Sequence, residues 1–105
     1  MARMDHIGKH MTTVASSHGG WHTVTYHNTE VVKWNERKNV VILDSGGYQT
    51  ATTKVRMNQT ANVYALGFHV FQRNHEWLVG LPNNSIVPFK DNMEFAYLGK
   101  RGYDS

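Results

Sequence analysis

The chain has 105 residues, a formal net charge of +3 and no cysteine, which leaves room for one small domain and excludes disulfide bonds, thiolate metal sites and cysteine nucleophiles. Its 40% hydrophobic and 18% charged residues are typical of a folded globular chain rather than a disordered one. Since no apolar run has the length of a membrane span or the form of a secretory signal, we expect a cytoplasmic protein.

The first 20 residues show no sustained hydrophobic period. They predict a flexible N-terminal arm, followed by a single domain over residues 21–97 and a C-terminal tail over residues 98–105. The arm is rich in histidine, but only His6 and His10 have the i, i+4 spacing of a helical zinc motif, and a glycine between them weakens a helix. We therefore expect solvated histidines, with neither a metal ion nor another cofactor.

Three short strands are predicted in the first half of the domain. Residues 21–30 alternate between β-branched or aromatic and polar side chains and include a turn, residues 31–34 continue as β, and residues 40–44 are strongly apolar. The polar residues 35–39 have nothing to bury and predict a hairpin connection. The result is a three-stranded meander whose second and third strands are apolar enough to lie centrally.

A helix is predicted over residues 50–66, where the third strand has ended at Gly46 and Gly47. Gly67 stands where a glycine commonly follows a helix in the left-handed conformation. The N-cap is expected from one of three hydroxyl residues, Ser45, Thr50 and Thr52.

Most apolar side chains of this helix fall in one broad arc, which predicts that it packs on the sheet. The arc comprises Ala51, Val55, Met57, Ala61, Tyr64, Ala65 and Leu66, and the opposite side comprises Thr52, Arg56, Gln59, Thr60 and Val63. Asn58 and Asn62 fall near the centre of the apolar arc, where an unpaired amide costs about 1 to 3 kcal/mol. Either they bond to strand backbone and fix the helix on the sheet, or they line a polar cleft beside the glycine turn.

The second half of the domain predicts strands at residues 68–73, 76–79 and 86–89, and a short last strand at residues 93–97 that pairs with the third of them. Pro88 lacks an N–H for a ladder hydrogen bond and indicates an edge strand. The predicted fold is therefore α+β, an antiparallel sheet of about six strands with a single helix packed on one face.

A strand, a glycine turn and a helix start together form a general anion site, because backbone N–H groups and the helix dipole converge there. The segment lacks the spacing of the Walker A and GxGxxG motifs. In the alternative interpretation, the glycines only turn the chain and the threonines cap the helix. The candidate ligand-binding residues are Ser45, Gly46, Gly47, Thr50, Thr52, Thr53, Lys54, Arg56, Asn58 and Asn62.

The strands carry more aromatic residues than one sheet face needs. Exposed members near Lys33, Arg37, Lys38 or Arg73 would suit base stacking, although no RNP signature is present. The alternative is that most of them form the core and a self-association face, which favours a homodimer. The set comprises Tyr26, Trp34, Phe68, Phe71, Trp77, Phe89 and Phe95.

Catalysis has weak support in the sequence. Ser45 lacks the glycine spacing of a nucleophile elbow, and no acid and base pair is set by spacing. His69, His75 and Asp44 are the remaining candidates for a small hydrolase or lyase. The two histidines are otherwise interpreted as surface residues.

The segment SGGYQTATTKVRMNQ at residues 45–59, with YHNTEVV before it and GFHVFQRNHEWLV after it, resembles a family of small proteins of tailed bacteriophages and environmental sequences, over about residues 22–97. The resemblance implies a viral origin and a partner such as a host protein, nucleic acid or a nucleotide. The leading hypothesis is a non-enzymatic phage accessory module that binds a phosphate-bearing ligand, nucleic acid or nucleotide. The alternative is a module that binds and inhibits a host protein.

Overall fold

The structure is a computed structural model and describes residues 6–97. The predicted tail at residues 98–105 and the first five residues of the predicted arm lie outside the described residues. The elements are β1 (Thr12–Ser16), a 3₁₀ turn (His18–Gly20), β2 (Trp21–Tyr26), β3 (Thr29–Asn35), β4 (Val40–Leu43), α1 (Ala51–Val63), β5 (His69–Arg73), β6 (Glu76–Gly80), β7 (Ile86–Pro88) and β8 (Met93–Ala96).

The strands form two antiparallel sheets. The larger has the order β1-β2-β3-β4-β8 and the smaller has the order β5-β6-β7. An α+β fold with one helix is thus confirmed for the described residues, with β3 and β4 central and β7 at an edge, whereas the single sheet of about six strands is wrong. The last strand pairs with β4 instead of β7, and Met93 and Phe95 there continue the apolar face beside Leu43 and Val41.

β1 lies within the segment that was expected to be an arm. It pairs antiparallel with β2, from Thr12 opposite Tyr26 to Ser16 opposite His22. Four of its five residues are exposed, so no buried period marks this strand in the sequence. Before it, the N–H of Gly8 donates to Oε1 of Gln59 in α1 at 3.0 Å. Regular structure and packing therefore begin well before residue 21.

The two ends of α1 are capped in different ways. At the start, Thr50 is the N-cap and its hydroxyl accepts the N–H of Thr53. At the end, Ala65 takes the left-handed conformation with φ of 54°, and the N–H of Leu66 donates back to the carbonyl of Ala61 at 2.9 Å. This is the closing bond of a Schellman motif. The prediction that Gly67 ends the helix is therefore wrong, since the turn is complete two residues earlier.

The buried face of α1 also differs from the predicted arc. The helix contacts β5 of the smaller sheet and β2 and β3 of the larger one, so it has no single sheet side and solvent side. Arg56, Gln59 and Thr60, which were placed on the solvent side, are buried, and Asn62 is exposed. Local hydrogen bonds make this possible, because Thr60 Oγ1 donates to the carbonyl of Arg56 at 2.7 Å and Arg56 donates to Gln59 Oε1 at 3.3 Å.

The apolar core fills the space between the inner sheet faces and α1. The pairing of β2 with β3 shifts by one residue between Val24 and Thr25, which leaves Val31 without a direct partner in β2. Val31 and Val32 are consecutive residues, and both are fully buried at this bulge. Trp34 contacts Tyr64 after the helix, with ring centres 4.6 Å apart. The buried apolar set is Val24, Val31, Val32, Trp34, Val41, Leu43, Met57, Ala61, Leu66, Phe68, Val70, Trp77, Val79, Phe89 and Tyr97.

Candidate functional site

The diglycine turn after β4 has its backbone donors occupied by side chains of the protein itself. The N–H of Gly46 donates to Asp44 Oδ1 at 2.9 Å and that of Gly47 donates to Ser45 Oγ at 3.2 Å. Ser45 is buried and donates both its N–H and its hydroxyl to Asp91 Oδ1, at 2.8 and 2.7 Å. The expectation that this turn leaves amides free for a phosphate is therefore wrong, because two carboxylates already hold it.

Lys54 and Arg56, the two cationic residues of the predicted site, were expected to supply charge to a phosphate, but both contact other groups. The Nζ of Lys54 lies 5.8 Å from the centre of the Trp77 ring. Arg56 is 8% exposed, and its Nε donates to Thr12 Oγ1 at 2.9 Å. Its guanidinium carbon lies 5.6 Å from the centre of the Tyr26 ring. Arg56 therefore joins β1, β2 and α1, a packing role that its sequence position did not reveal.

The two asparagines of α1 lie in different environments. Asn58 Nδ2 donates to the carbonyl of Val70 at 2.8 Å, and the N–H of Val70 donates to Asn58 Oδ1 at 2.7 Å. Asn58 thus fixes the helix on β5, as the structural alternative predicted. Asn62 is exposed and does not lie in the buried face. Among the threonines, Thr50 and Thr53 share a hydroxyl hydrogen bond of 3.0 Å.

A cleft of about 400 Å³ opens between the β2–β3 turn and the loop that leads into α1. We call it the Tyr48 cleft. Tyr48 is 73% exposed at its border, and Thr52, although predicted for the site, is half-buried outside the lining. The lining residues are Tyr26, His27, Asn28, Thr29, Val31, Ser45, Tyr48, Thr50 and Thr53. The structure therefore brings Ser45, Thr50 and Thr53 together, and adds an aromatic and amide wall from β2 and β3.

The sequence did not predict this aromatic and amide wall, because the residues between β2 and β3 have the composition of a simple turn. His27 has a left-handed φ of 56°, and its ring lies edge-on to Tyr26 with centres 4.4 Å apart. The side chain of Thr29 closely contacts Gly46, which packs the β2–β3 turn against the glycine turn. A rare positive φ at histidine is invisible in a single sequence, so no local signal places these residues at a shared cavity.

The Tyr48 cleft offers neutral polar chemistry. Its lining has hydroxyls, one imidazole and the Asn28 amide, which carries both donors and an acceptor. Positive charge lies behind this lining, since Arg56 packs on Tyr26 and no carboxylate of residues 6–97 is within ion-pair distance of it. The first turn of α1, at Thr50 and Thr53, adds the partial positive end of the helix dipole. The cleft is thus suited to a polar, partly aromatic ligand.

A second, more open cavity of about 710 Å³ lies on the other side of the β2–β3 turn. Its lining includes Lys33, Glu30 and Asp44, so it carries residues of both charges. Near it, Trp21 on the outer sheet face has the Nζ of Lys33 at 4.9 Å and that of Lys38 at 5.8 Å from its ring centre. These contacts give the outer face a small cationic and aromatic patch.

The structure assembles no predicted catalytic pair. Asp44 follows β4 of the larger sheet, whereas His69 and His75 belong to the β5–β6 hairpin of the smaller one, and no hydrogen bond joins any two of the three. A hydrogen-bonded chain does link Ser16 Oγ to His22 Nδ1 at 2.7 Å and His22 Nε2 to Glu36 at 3.2 Å. Its glutamate is 65% exposed, and both cavities described above are lined by other residues.

Within residues 6–97, no three metal-ligating side chains come close enough together to hold an ion. The one helix that the structure describes in this range is too short and too polar to cross a bilayer.

A family model described as Kyanoviridae Gp96 protein matches residues 1–96. Searches of curated proteins and of solved structures gave no match. The family match agrees with the resemblance of the chain to phage proteins, and it covers the chain from residue 1.

Proposed function

The chain belongs to the Kyanoviridae Gp96 family of phage proteins, and on this premise we propose that it is a non-enzymatic accessory module that binds a nucleotide unit, free or in single-stranded nucleic acid. The Tyr48 cleft replaces the glycine turn as the binding site. The observation that carries the proposal is a cleft of about 400 Å³ bordered by two tyrosines, an asparagine amide and the first turn of α1.

The size and the aromatic walls of the cleft suit a base. Small-molecule sites are concave pockets of about 300 to 1,000 Å³. Tyr26 forms part of the wall, and the exposed ring of Tyr48 is positioned at the border, where it is free to cover a ligand. Bases stack on such rings at about 1 to 3 kcal/mol each in proteins that bind single strands. Asn28 supplies donors and an acceptor for a base edge.

The charge distribution favours the phosphate at the helix side of the cleft. Asp91 holds Ser45 and Asp44 holds Gly46, so the turn side carries negative charge. The other side has the N-terminal end of α1 and, behind Tyr26, the buried Arg56. The formal charge of +3 adds long-range attraction for a polyanion.

Titration at low salt with nucleoside monophosphates and with a labelled single-stranded oligonucleotide tests the proposal and separates its two ligand sources. We expect Tyr48→Ala to weaken binding roughly 5-fold to 150-fold, the equivalent of one base stacking contact. Val63→Ala, an exposed site at the far end of α1, is the control and leaves the affinity unchanged. Wild-type protein that binds neither ligand, or Tyr48→Ala with full affinity, refutes the cleft.

Lys54→Ala distinguishes the cleft from the site expected at the glycine turn. Because Lys54 packs over Trp77 and does not line the cleft, we expect nearly unchanged affinity. A large loss with Lys54→Ala and none with Tyr48→Ala instead supports the turn-based phosphate site.

A second candidate function is a module that binds a host protein through the outer face of the smaller sheet. On that face the ring of His69 stacks on Phe71 with centres 5.0 Å apart, and the guanidinium of Arg73 lies 5.4 Å from the Phe71 ring centre. The neighbouring Ile86 is 54% exposed. This function predicts a salt-insensitive partner in a host-lysate pulldown that is lost with Phe71→Ala and retained with Tyr48→Ala.

A further inference from the structure

The two sheets of residues 6–97 present four edge strands, and three of these carry a feature that opposes pairing with another strand. On β5, the side chain of Asn58 occupies both backbone groups of Val70. On β7, Pro88 has no N–H to donate. On β8, a strand of four residues, Glu94 is charged and exposed. Such features are common devices against edge-to-edge association.

β1 is the edge that lacks these devices. Its sequence, TTVAS, has no charge and no proline, and its pairing with β2 runs without a register shift. Residues Thr13 to Ser16 are exposed. Val14, at the centre of the strand, is 46% exposed, and Met11 just before the strand is 54% exposed. An apolar and uncharged edge of this kind is a template for another strand.

The direction of the backbone groups in β1 follows from the bonds at its two ends. The N–H of His27 donates to the carbonyl of Met11, and the N–H of Ser17 donates to the carbonyl of Trp21. Hydrogen-bonded pairs alternate along an antiparallel ladder, so positions 13 and 15 also bond to β2. The backbone groups of Thr12, Val14 and Ser16 therefore point outward, away from β2. The N–H of Thr12 is already bonded to the carbonyl of Lys9 at 3.2 Å.

We propose that β1 is a self-association site at which a second copy of this chain pairs its own β1 antiparallel about a two-fold axis at Val14. The axis places Val14 opposite its copy and Thr12 opposite Ser16 of the copy. The outward N–H groups of Val14 and Ser16 then donate across the axis, for about four backbone hydrogen bonds. The two larger sheets become one continuous sheet.

Three features favour a second copy over another protein. The outward groups match themselves under two-fold rotation, as an isologous contact requires. The strand is neutral in a chain of net charge +3, so two copies meet without like charges side by side. The exposed Val14 side chains lie on the same sheet face as the buried Val24, so each covers the other. Thr12 and Ser16 then stand opposite each other across the axis, and both side chains are small enough to fit there without a clash.

The helices leave room for this arrangement. α1 lies over β2 and β3 of its own sheet, and the β2 strands of two copies joined through β1 are three strand spacings, or about 14 Å, apart. A helix with its side chains is about 10 to 12 Å wide. The two copies of α1 therefore stand on the same face without overlap.

Light scattering after size-exclusion chromatography, over a concentration series of the full chain, measures the association. We expect the mass to double at high concentration and hydrogen exchange of the Val14 and Ser16 amides to slow with it, while the Thr13 and Ala15 amides stay protected throughout. Val14→Pro removes an outward N–H that β2 does not use, and Val14→Lys places two like charges on the axis. We expect each to raise the dimer Kd roughly tenfold or more.

Ile86→Lys is the matched control, since it also places a lysine at an exposed apolar edge position, 54% exposed on β7. It should leave the dimer intact. Circular dichroism confirms that each variant is folded, and Val14→Lys decides the matter if Val14→Pro unfolds. A monomer at every concentration, or a dimer that survives Val14→Lys and is lost with Ile86→Lys, overturns the proposal.

Discussion

Asn58→Ala removes both hydrogen bonds that join α1 to the backbone of β5. The bonds to the carbonyl and N–H of Val70 are 2.8 and 2.7 Å long, and Val70 is 2% exposed, so solvent does not readily replace them. A buried polar group left without its partner costs about 1 to 3 kcal/mol. Two such groups would cost about 2 to 6 kcal/mol if fully buried. Since both bonds are part-buried, the expected loss is about 2 to 4 kcal/mol, a large share of the roughly 5 to 15 kcal/mol that stabilises a small domain.

Urea denaturation and thermal unfolding, each followed by tryptophan fluorescence and far-ultraviolet circular dichroism, measure this loss. At this chain length we expect Tm to fall by roughly 10 to 25 °C, with an unchanged m-value because the surface exposed on unfolding stays the same. Asn62→Ala is the matched control, one turn further along the helix but exposed, and should change stability by less than about 0.5 kcal/mol. Equal losses in the two variants, or less than about 1 kcal/mol for Asn58→Ala, refute the reasoning.

Two further predictions concern the glycine turn and pH. Gly46→Ala should destabilise the fold more than Gly47→Ala. Both glycines have a positive φ, at 65° and 85°, but a Cβ at Gly46 would collide with Thr29, whereas a Cβ at Gly47 would face open space. Equal losses of Tm in the two variants contradict this prediction. Burial, and secondarily the charge of Glu36, raise the pKa of Tyr97 above 10.0. Its contribution is therefore complete below about pH 10 and is lost as pH rises through the raised pKa, so Tyr97→Phe should flatten the alkaline decline in unfolding free energy.

The candidate site shows which signals were readable in the sequence. Ser45, Thr50 and Thr53 were predicted near a ligand and do line the Tyr48 cleft, because a strand end and a helix start are local features that bring hydroxyls together. The charge donors were misplaced, since Lys54 and Arg56 both have long side chains whose direction depends on distant partners, Trp77 for the first and Thr12 for the second.

The sequence by itself determined the elements from β2 to β7 and narrowed the N-cap of α1 to three hydroxyl residues, because alternation, turn residues and capping hydroxyls act between residues close in the chain. The structure selects Thr50 among the three. The tertiary structure alone decided that β8 joins β4, that β1 exists as an exposed strand, and that Arg56 is a buried residue. The β4–β8 pairing and the bond between Arg56 and Thr12 join segments more than 40 residues apart in the chain. β1 pairs with the nearby β2, but it is exposed along its outer edge. A helix that packs between two sheets is buried on more than one side, so its buried residues do not follow a single hydrophobic period. An exposed edge strand has few buried residues, so it does not show a hydrophobic period either.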